Sequence, residues 1–405
     1  MNTKTNQVIA PVTKRIELLD VIRGFALVGI LFANILSWSG IKFLHFDVIE
    51  SFGNIEDDRM LYDFLKYFVD TKFYTIFSLL FGIGFSLQIT KNMDNPAFPP
   101  LYARRLSWLI VIGLIHALLW SGDILILYAL MGFIMLGLRK ISQPMQLKLA
   151  LMLFAAPLVL DIIYMYTFAS AIPEIAPTAL KMYPDISPDE VVAGFQSVNF
   201  LTVFKMNFHN LMWRWYDFIP SGRPFKVLGL FLLGSYLYSS GYFTEKVRKF
   251  KTLIVWLVLG LGLTYLAMTL KGGVSTYSKS WSDILYKLIH EVGQISLSLS
   301  YISIIAIVLH KFPKLFIWDA FKAYGRMSLT SYIGQSVIGI FVFYPIIGLD
   351  YYGSLSLENI YYFGVVILIS QIAFSMLWFR WFKFGPIEWA WRCLTYKKLF
   401  PILKT

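Results

Sequence analysis

The chain has 405 residues, 57% of them hydrophobic, 18% aromatic and only 15% charged, with a net charge of +12. Soluble domains carry about 25% charged residues, so this chain lacks the polar side chains to coat a water-soluble globule. The basic balance brings no Gly/Arg-rich tract or nucleic-acid module with it, and a lone Cys393 excludes an internal disulfide or thiolate metal cluster.

About ten apolar segments follow one another, at roughly 20–38, 62–90, 105–121, 123–140, 148–170, 225–241, 252–270, 288–310, 327–348 and 360–382. Short alternating segments, which an outer-membrane barrel would need, do not occur. The expected fold is therefore all-α, a polytopic transmembrane helical bundle. A charged pair opens the first run and the chain returns to the membrane repeatedly, so that run reads as a retained span rather than a cleaved signal. Basic loops (Lys91, Arg104, Arg105; Arg139, Lys140, Lys148; Lys246, Arg248; Lys322, Arg326) alternate with acidic ones (Asp47, Glu50, Glu56; Asp185, Asp189, Glu190). That alternation places both termini in the cytoplasm and accounts for the net charge. A bacterial plasma membrane is the expected location.

Three regions are expected: a five-span bundle over 1–170, an outer segment over 171–224 and a second five-span region over 225–405. The outer segment is broken early by Pro173, Pro177, Pro184 and Pro188. A periodic piece over 199–218 follows, with Trp213, Trp215 and Tyr216 beside His209, Arg214 and Asp217. It reads as an aromatic helix lying at the membrane interface.

Ionisable groups inside spans are costly, and their positions carry the functional argument. In span one, Arg23 and Asn34 lie eleven residues apart, which leaves them about 20° apart around a helix and about 16 Å apart along it. Asp20 shares that side. Lys72 lies in span two, and His290 and Glu291 enter span eight from the same outer side. His116 lies deep in span three, and Asp123 follows a Ser-Gly break. The pair suits general-base chemistry, with the carboxylate fixing the imidazole tautomer. It equally suits a packed histidine and a helix cap, and His45 in the outer loop is a competing base. At the inner side Asp20, Arg23, Arg105, Arg326, Glu388 and Arg392 read either as membrane anchors and local ion pairs or as a pocket for an anion. The Gly-rich run Phe81-Gly82-Ile83-Gly84-Phe85 follows no strand and reads as a close helix contact. No metal-binding spacing or GxSxG elbow occurs.

Five stretches resemble the YeiB-like family of bacterial membrane proteins (domain of unknown function 418). They are Leu19-Asp20-Val21-Ile22-Arg23-Gly24-Phe25-Ala26 through Asn34; Lys72-Phe73-Tyr74-Thr75-Ile76-Phe77-Ser78-Leu79-Leu80-Phe81-Gly82-Ile83-Gly84; Gly113-Leu114-Ile115-His116 with Gly122-Asp123-Ile124-Leu125 and Tyr128; Gly325-Arg326-Met327-Ser328-Leu329-Thr330-Ser331-Tyr332; and Gly385-Pro386-Ile387-Glu388-Trp389-Ala390-Trp391-Arg392. The Asp-x-x-Arg-Gly opening also resembles the first span of transmembrane acyltransferases, among them the acyltransferase-three family and heparan-α-glucosaminide N-acetyltransferase. Where the first of these has a histidine eleven residues after the arginine, this chain has Asn34. Where the second has an asparagine and then a histidine eleven residues on, this chain has Asn34 and His45.

The resemblance implies transfer of an acyl group from cytoplasmic acyl-CoA to a small-molecule, glycan or lipid acceptor at the outer face. Acyl-CoA would be a co-substrate, with no permanently bound cofactor, no metal and no nucleic acid. On that reading Arg23, Asp20, Arg105, Arg326, Glu388 and Arg392 hold the CoA phosphates, and Asn34 serves the oxyanion. His116 with Asp123, or else His45, supplies the base, and Lys72, His290 and Glu291 face the acceptor. The rival is a transporter or exporter of a small solute or lipid-linked molecule, with the same groups lining its pathway.

Overall fold

The computed structural model describes residues 16–44, 55–168, 186–218, 221–270 and 280–404. Helix α1 (Glu17–Trp38) is the axis. Its run Gly24–Ala33 is apolar on every side, and a helix apolar all round is one that other helices surround. Val21, Ile22, Leu27, Leu31 and Ile35 have no exposed surface. Around it stand α3 (Lys72–Asn92), α12 (Phe316–Arg326), α13 (Ser328–Phe343) and α14 (Leu357–Trp381).

The expected second span is two helices. Helix α2 (Ile55–Phe68) ends at a turn in which Val69 and Asp70 both donate to the Leu65 carbonyl. Thr71 then adopts a left-handed φ of 67° before α3 begins. The outer shell holds α4 (Phe98–Leu119) paired with α5 (Leu125–Gly137), and α6 (Gln143–Ile163) against α9 (Arg223–Ser239). Helices α10 (Phe250–Leu270) and α11 (Trp281–Lys311) form a further pair, and α15 (Pro386–Tyr396) lies on α4. The outer segment contributes α7 (Pro188–Phe195), opened by a Ser187–Glu190 capping box, and the aromatic helix α8 (Phe200–Asp217).

Each of the ten expected segments is helical, and the described residues contain no β-strand beyond an isolated bridge. Among the described residues, seven helical stretches are long and apolar enough to cross a membrane. Helix α5, at 13 residues, is only about 20 Å long. Large apolar side chains on α6 and α10, such as Leu151, Val159, Val258 and Tyr265, face outward, as a lipid-facing surface requires. The chain is an all-α, multi-pass membrane protein.

Lipid tails are as apolar as leucine, so close packing and interhelical hydrogen bonds hold these helices together. At Gly325 an added Cβ would lie 1.9 Å from the Asp20 carbonyl oxygen, and at Gly24 it would lie 2.1 Å from that of Phe321. Helices α1 and α12 therefore touch backbone to backbone. Gly82 and Gly234 join α3 to α9 in the same way, with Cβ clashes of 2.0 and 2.2 Å, whereas Gly84 meets nothing and lines a cavity. Gln335 donates to the Tyr324 hydroxyl and the Leu27 carbonyl, and Tyr324 donates to Gln371, so polar bonds link α1, α12, α13 and α14. A buried Lys287–Asp161 pair, 2.7 Å apart, ties α11 to α6.

Overpacking a backbone contact costs about 1–3 kcal/mol or more. Gly325→Ala and Gly82→Ala are therefore expected to lower the thermal unfolding midpoint of the detergent-solubilised protein. Gly262→Ala, where a Cβ meets nothing, is expected to leave it unchanged or raise it slightly. Equal effects at all three positions would remove the close-contact argument.

Candidate functional site

Down one side of α1 run Leu19, Asp20, Arg23, Ile30, Ala33, Asn34 and Ser37, and all of them line one cavity of about 960 Å³. That volume is at the upper end of ligand sites. The cavity has a cationic group at each end and an aromatic middle.

At the Arg23 end, Arg23 Nη1 donates to Asp20 Oδ1 at 2.6 Å. The other three guanidinium groups rest on aromatic faces. Arg105 lies 3.9 Å from the Trp391 ring, Arg326 3.9 Å from Phe379, and Arg392 4.9 Å from both Phe384 and Phe400. Trp391 Nε1 also donates to the Arg105 carbonyl at 2.8 Å, which fixes α15 on α4. Ring faces orient a guanidinium and leave its edge N–H groups and its charge for an anion. Glu388 does not form the local pair with Arg392 that their spacing allows. Its oxygens accept from the Leu329 and Thr330 amides, at 2.6 and 3.0 Å, and from Thr330 Oγ1 at 2.6 Å. It thereby caps α13. Both carboxylates at this end are committed, and a cationic excess remains.

The waist is made by Phe73, Tyr74, Phe77, Phe81, Trp120 and Tyr128, with Asn34 and Ser37 on the wall beyond it. A 2.5 Å contact with Ser78 fixes the Tyr128 hydroxyl. At the far end stand Lys42, Lys66, Arg214, Arg223, Lys226 and His290, with Asp70 and Asp217. The exposed surface of Lys42 faces this cavity. Enclosure by the protein, and Arg214 beside it, hold the Lys42 ammonium below the ordinary lysine range.

The remaining expected site residues are placed as follows. His290 is on the wall, stacked at 5.8 Å on Tyr286. Glu291 is buried and pairs with Lys226 at 2.7 Å. Lys72 is buried off the wall, and its carbonyl accepts from Ser298. His45 lies outside the described residues and follows Leu44 directly in the chain. His116 has no place on the wall. Its Nδ1 meets Asp123 at 2.8 Å and its Nε2 meets Ser336 at 2.9 Å, and all three groups are buried. With Asp123 as acceptor, Nδ1 carries the proton and Nε2 accepts the Ser336 hydroxyl, an assignment set by the network. Asp123 also accepts from the Ile126 amide at 3.0 Å, so it caps α5 as well. The order Asp–His–Ser matches a charge-relay triad, but the group sits one layer behind the wall. The imidazole lies 5.0 Å from the ring of Tyr332 and 5.9 Å from that of Trp120, both of which do line the cavity.

Sequence reasoning missed Ser336, which is 220 positions from His116 and has no spacing signal. It also passed over Lys42 and Arg223, which look like ordinary loop charges, and read Arg214 only as part of an interfacial helix.

Leaving a buried carboxylate without its hydrogen-bond donor costs about 3 kcal/mol or more, whereas an interhelical hydroxyl bond in a membrane contributes about 1 kcal/mol. His116→Ala is therefore expected to lower the unfolding midpoint severalfold more than Ser336→Ala. Equal small shifts would show that the network holds nothing in place.

The family model described as "Protein of unknown function (DUF418)" matches residues 237–398, from the end of α9 through α15. The chain is 31% identical over 410 residues to the uncharacterized protein YxaH of Bacillus subtilis (strain 168), covering 96% of each chain. It is 29% identical, again over 96% of each, to an uncharacterized 39.9 kDa protein from the amylase 3′ region of Bacillus acidopullulyticus. Identity to the uncharacterized protein YeiB of Escherichia coli (strain K12) is 25%, over 95% of this chain and 97% of that one. No solved structure matches.

Proposed function

We propose that this chain, which belongs to the DUF418 family, is a transmembrane acyltransferase using acyl-CoA at the Arg23 end and an acceptor at the Lys42 end. The observation that carries this reading is a cavity touching both ends, with guanidinium groups at one and Asn34 on its wall. Arg105 and Arg392 suit the CoA phosphates, because their aromatic supports leave the charge available, and Arg326, which donates to the Lys383 carbonyl, lines the same end. The aromatic waist suits the pantetheine and acyl portions. The proposed membrane is the bacterial cytoplasmic membrane, with the Arg23 end inside, in keeping with the basic loops.

In the proposed step the acceptor oxygen or nitrogen attacks the thioester carbonyl, the C–S bond breaks, and CoA leaves as its thiolate. The proton lost by the acceptor passes to a base and then to that thiolate. Asn34 donates to the carbonyl oxygen as it gains charge. His45 is the proposed base, since both nitrogens of His116 are engaged and its ring lies behind the wall. His116 and Asp123 then act as positioning residues for Tyr332 and Trp120. The same cavity would serve a transporter, and the assays below separate the two.

CoA binding to the purified protein, measured by calorimetry, is expected to weaken about tenfold or more in Arg105→Gln and Arg392→Gln. Thiol release from acetyl-CoA is expected to fall roughly 10²–10³-fold in Asn34→Ala with CoA affinity unchanged, and to vanish in His45→Ala. Loss of release in His116→Gln with wild-type stability, while His45→Ala stays active, would move the base to His116. Absence of CoA binding sinks the acyltransferase reading, and solute flux without thiol release would establish transport.

A further inference from the structure

We propose that the Lys42 end of the cavity is a phosphate site, held by Lys42, Arg214 and Arg223, so that the acceptor is a phosphorylated molecule. The word acceptor rests on the acyl-transfer reading; the phosphate site does not.

Five basic side chains line this end, Lys42, Lys66, Arg214, Arg223 and Lys226, against the carboxylates of Asp70 and Asp217. Among the described residues only Lys226 has a carboxylate within ion-pair distance, Glu291 at 2.7 Å. Setting that pair aside and balancing Asp70 and Asp217 against two cations leaves two cationic charges unbalanced. Like charges gathered at one end of a cavity repel one another unless a counter-ion joins them. A phosphate monoester carries about −1.5 to −2 near neutral pH, which matches the excess better than a single carboxylate does.

The local geometry points the same way. Arg214 and Arg223 lie 5.8 and 5.6 Å from the one Phe218 ring, which brings two forked donors together. Arg214 Nε is buried with no acceptor among the described residues, an arrangement that costs free energy until an oxygen arrives. Helix α9 also begins here. Its N-cap Gly222 has φ of +67° and no side-chain cap, and Ser221 and Arg223 on either side line the cavity. The dipole of α9 adds to the positive potential here, although Pro224 carries no amide and the Arg223 amide already donates to the Phe218 carbonyl at 3.2 Å. A side chain at Gly222 would meet Pro157 at 2.5 Å, so the left-handed residue that opens α9 is also required sterically.

The test uses the full chain in detergent with glycerol 3-phosphate as probe, measured by calorimetry with and without saturating CoA. Binding is expected in the presence of CoA, and about tenfold or more weaker in Arg214→Gln and Arg223→Gln. Both variants should keep wild-type CoA affinity, and Arg105→Gln should show the reverse pattern. If the glutamine variants do not fold, Arg223→Lys keeps the charge but loses the fork, and is expected to weaken the probe while sparing CoA. Nanodiscs containing phosphatidic acid form a second arm. Binding there alone assigns the phosphate to a lipid headgroup, and binding of the soluble probe assigns it to a free phosphate ester. Probe binding without any CoA binding would sink the acyl-transfer reading and leave this site standing. Displacement of the probe by CoA with no effect of Arg214→Gln or Arg223→Gln, or no binding in either arm, would overturn the proposal.

Discussion

The architecture of the Arg23 end depends on the backbone contact between α1 and α12. Gly24 and Gly325 let the two helices approach until carbonyl oxygens fill the space where side chains would be. Arg23 and Arg326 lie next to these glycines in sequence, so the same contact that fixes the helices delivers two guanidinium groups to one cavity wall. The short sequences around them, Asp20-Val21-Ile22-Arg23-Gly24 and Gly325-Arg326-Met327, thus join a packing device to a cationic group. In a medium without a hydrophobic force between helices, such contacts supply through dispersion the stabilisation that the hydrophobic effect supplies to a soluble core.

Placing cations there raises a second problem, since a charge enclosed by protein and lipid must be matched or left open to water. At the Arg23 end the answer is aromatic. Trp391, Phe379, Phe384 and Phe400 hold arginines by their ring faces, while Glu388 is spent on the amides that open α13. The carboxylate that looks like the partner of Arg392 therefore caps a helix, and the arginine keeps its charge for the cavity. Deeper in the bundle the answer is ionic: Lys287 with Asp161, and Lys226 with Glu291. The contrast separates charges that hold helices together from charges presented to a cavity.

Most of the fold was legible in the sequence, because twenty-residue apolar runs leave few alternatives in a membrane protein. The break at Thr71 was not, since a left-handed threonine has no compositional signature. Helical period placed Arg23 and Asn34 on one face, and both line the cavity. Arg105 and His116 are also eleven residues apart on one helix, yet only Arg105 reaches the wall. Period fixes a direction around a helix; it says nothing of what packs there, and at His116 the neighbouring rings of Tyr332 and Trp120, not the imidazole, line the open space. Ser336 was invisible for the same reason, being joined to His116 only by the folded chain. The cationic far end lies where α8 and the start of α9 return to the bundle, and no local pattern marks that return.

The buried Asp123–His116–Ser336 chain has a further consequence for how the wall is held. Asp123 receives a backbone amide of α5 and a ring proton from α4, and His116 in turn receives a hydroxyl from α13. One carboxylate thus links three helices through groups with fixed donor and acceptor roles, and every member is satisfied. Such a network admits few alternative arrangements, because any shift leaves a polar atom bare in a low dielectric. Tyr332 lies on α13 one turn before Ser336, and Trp120 caps α4, its amide donating to the His116 carbonyl. Their position on the cavity wall is therefore set by hydrogen bonds behind it, while the aromatic waist stays free of charge between two cationic ends.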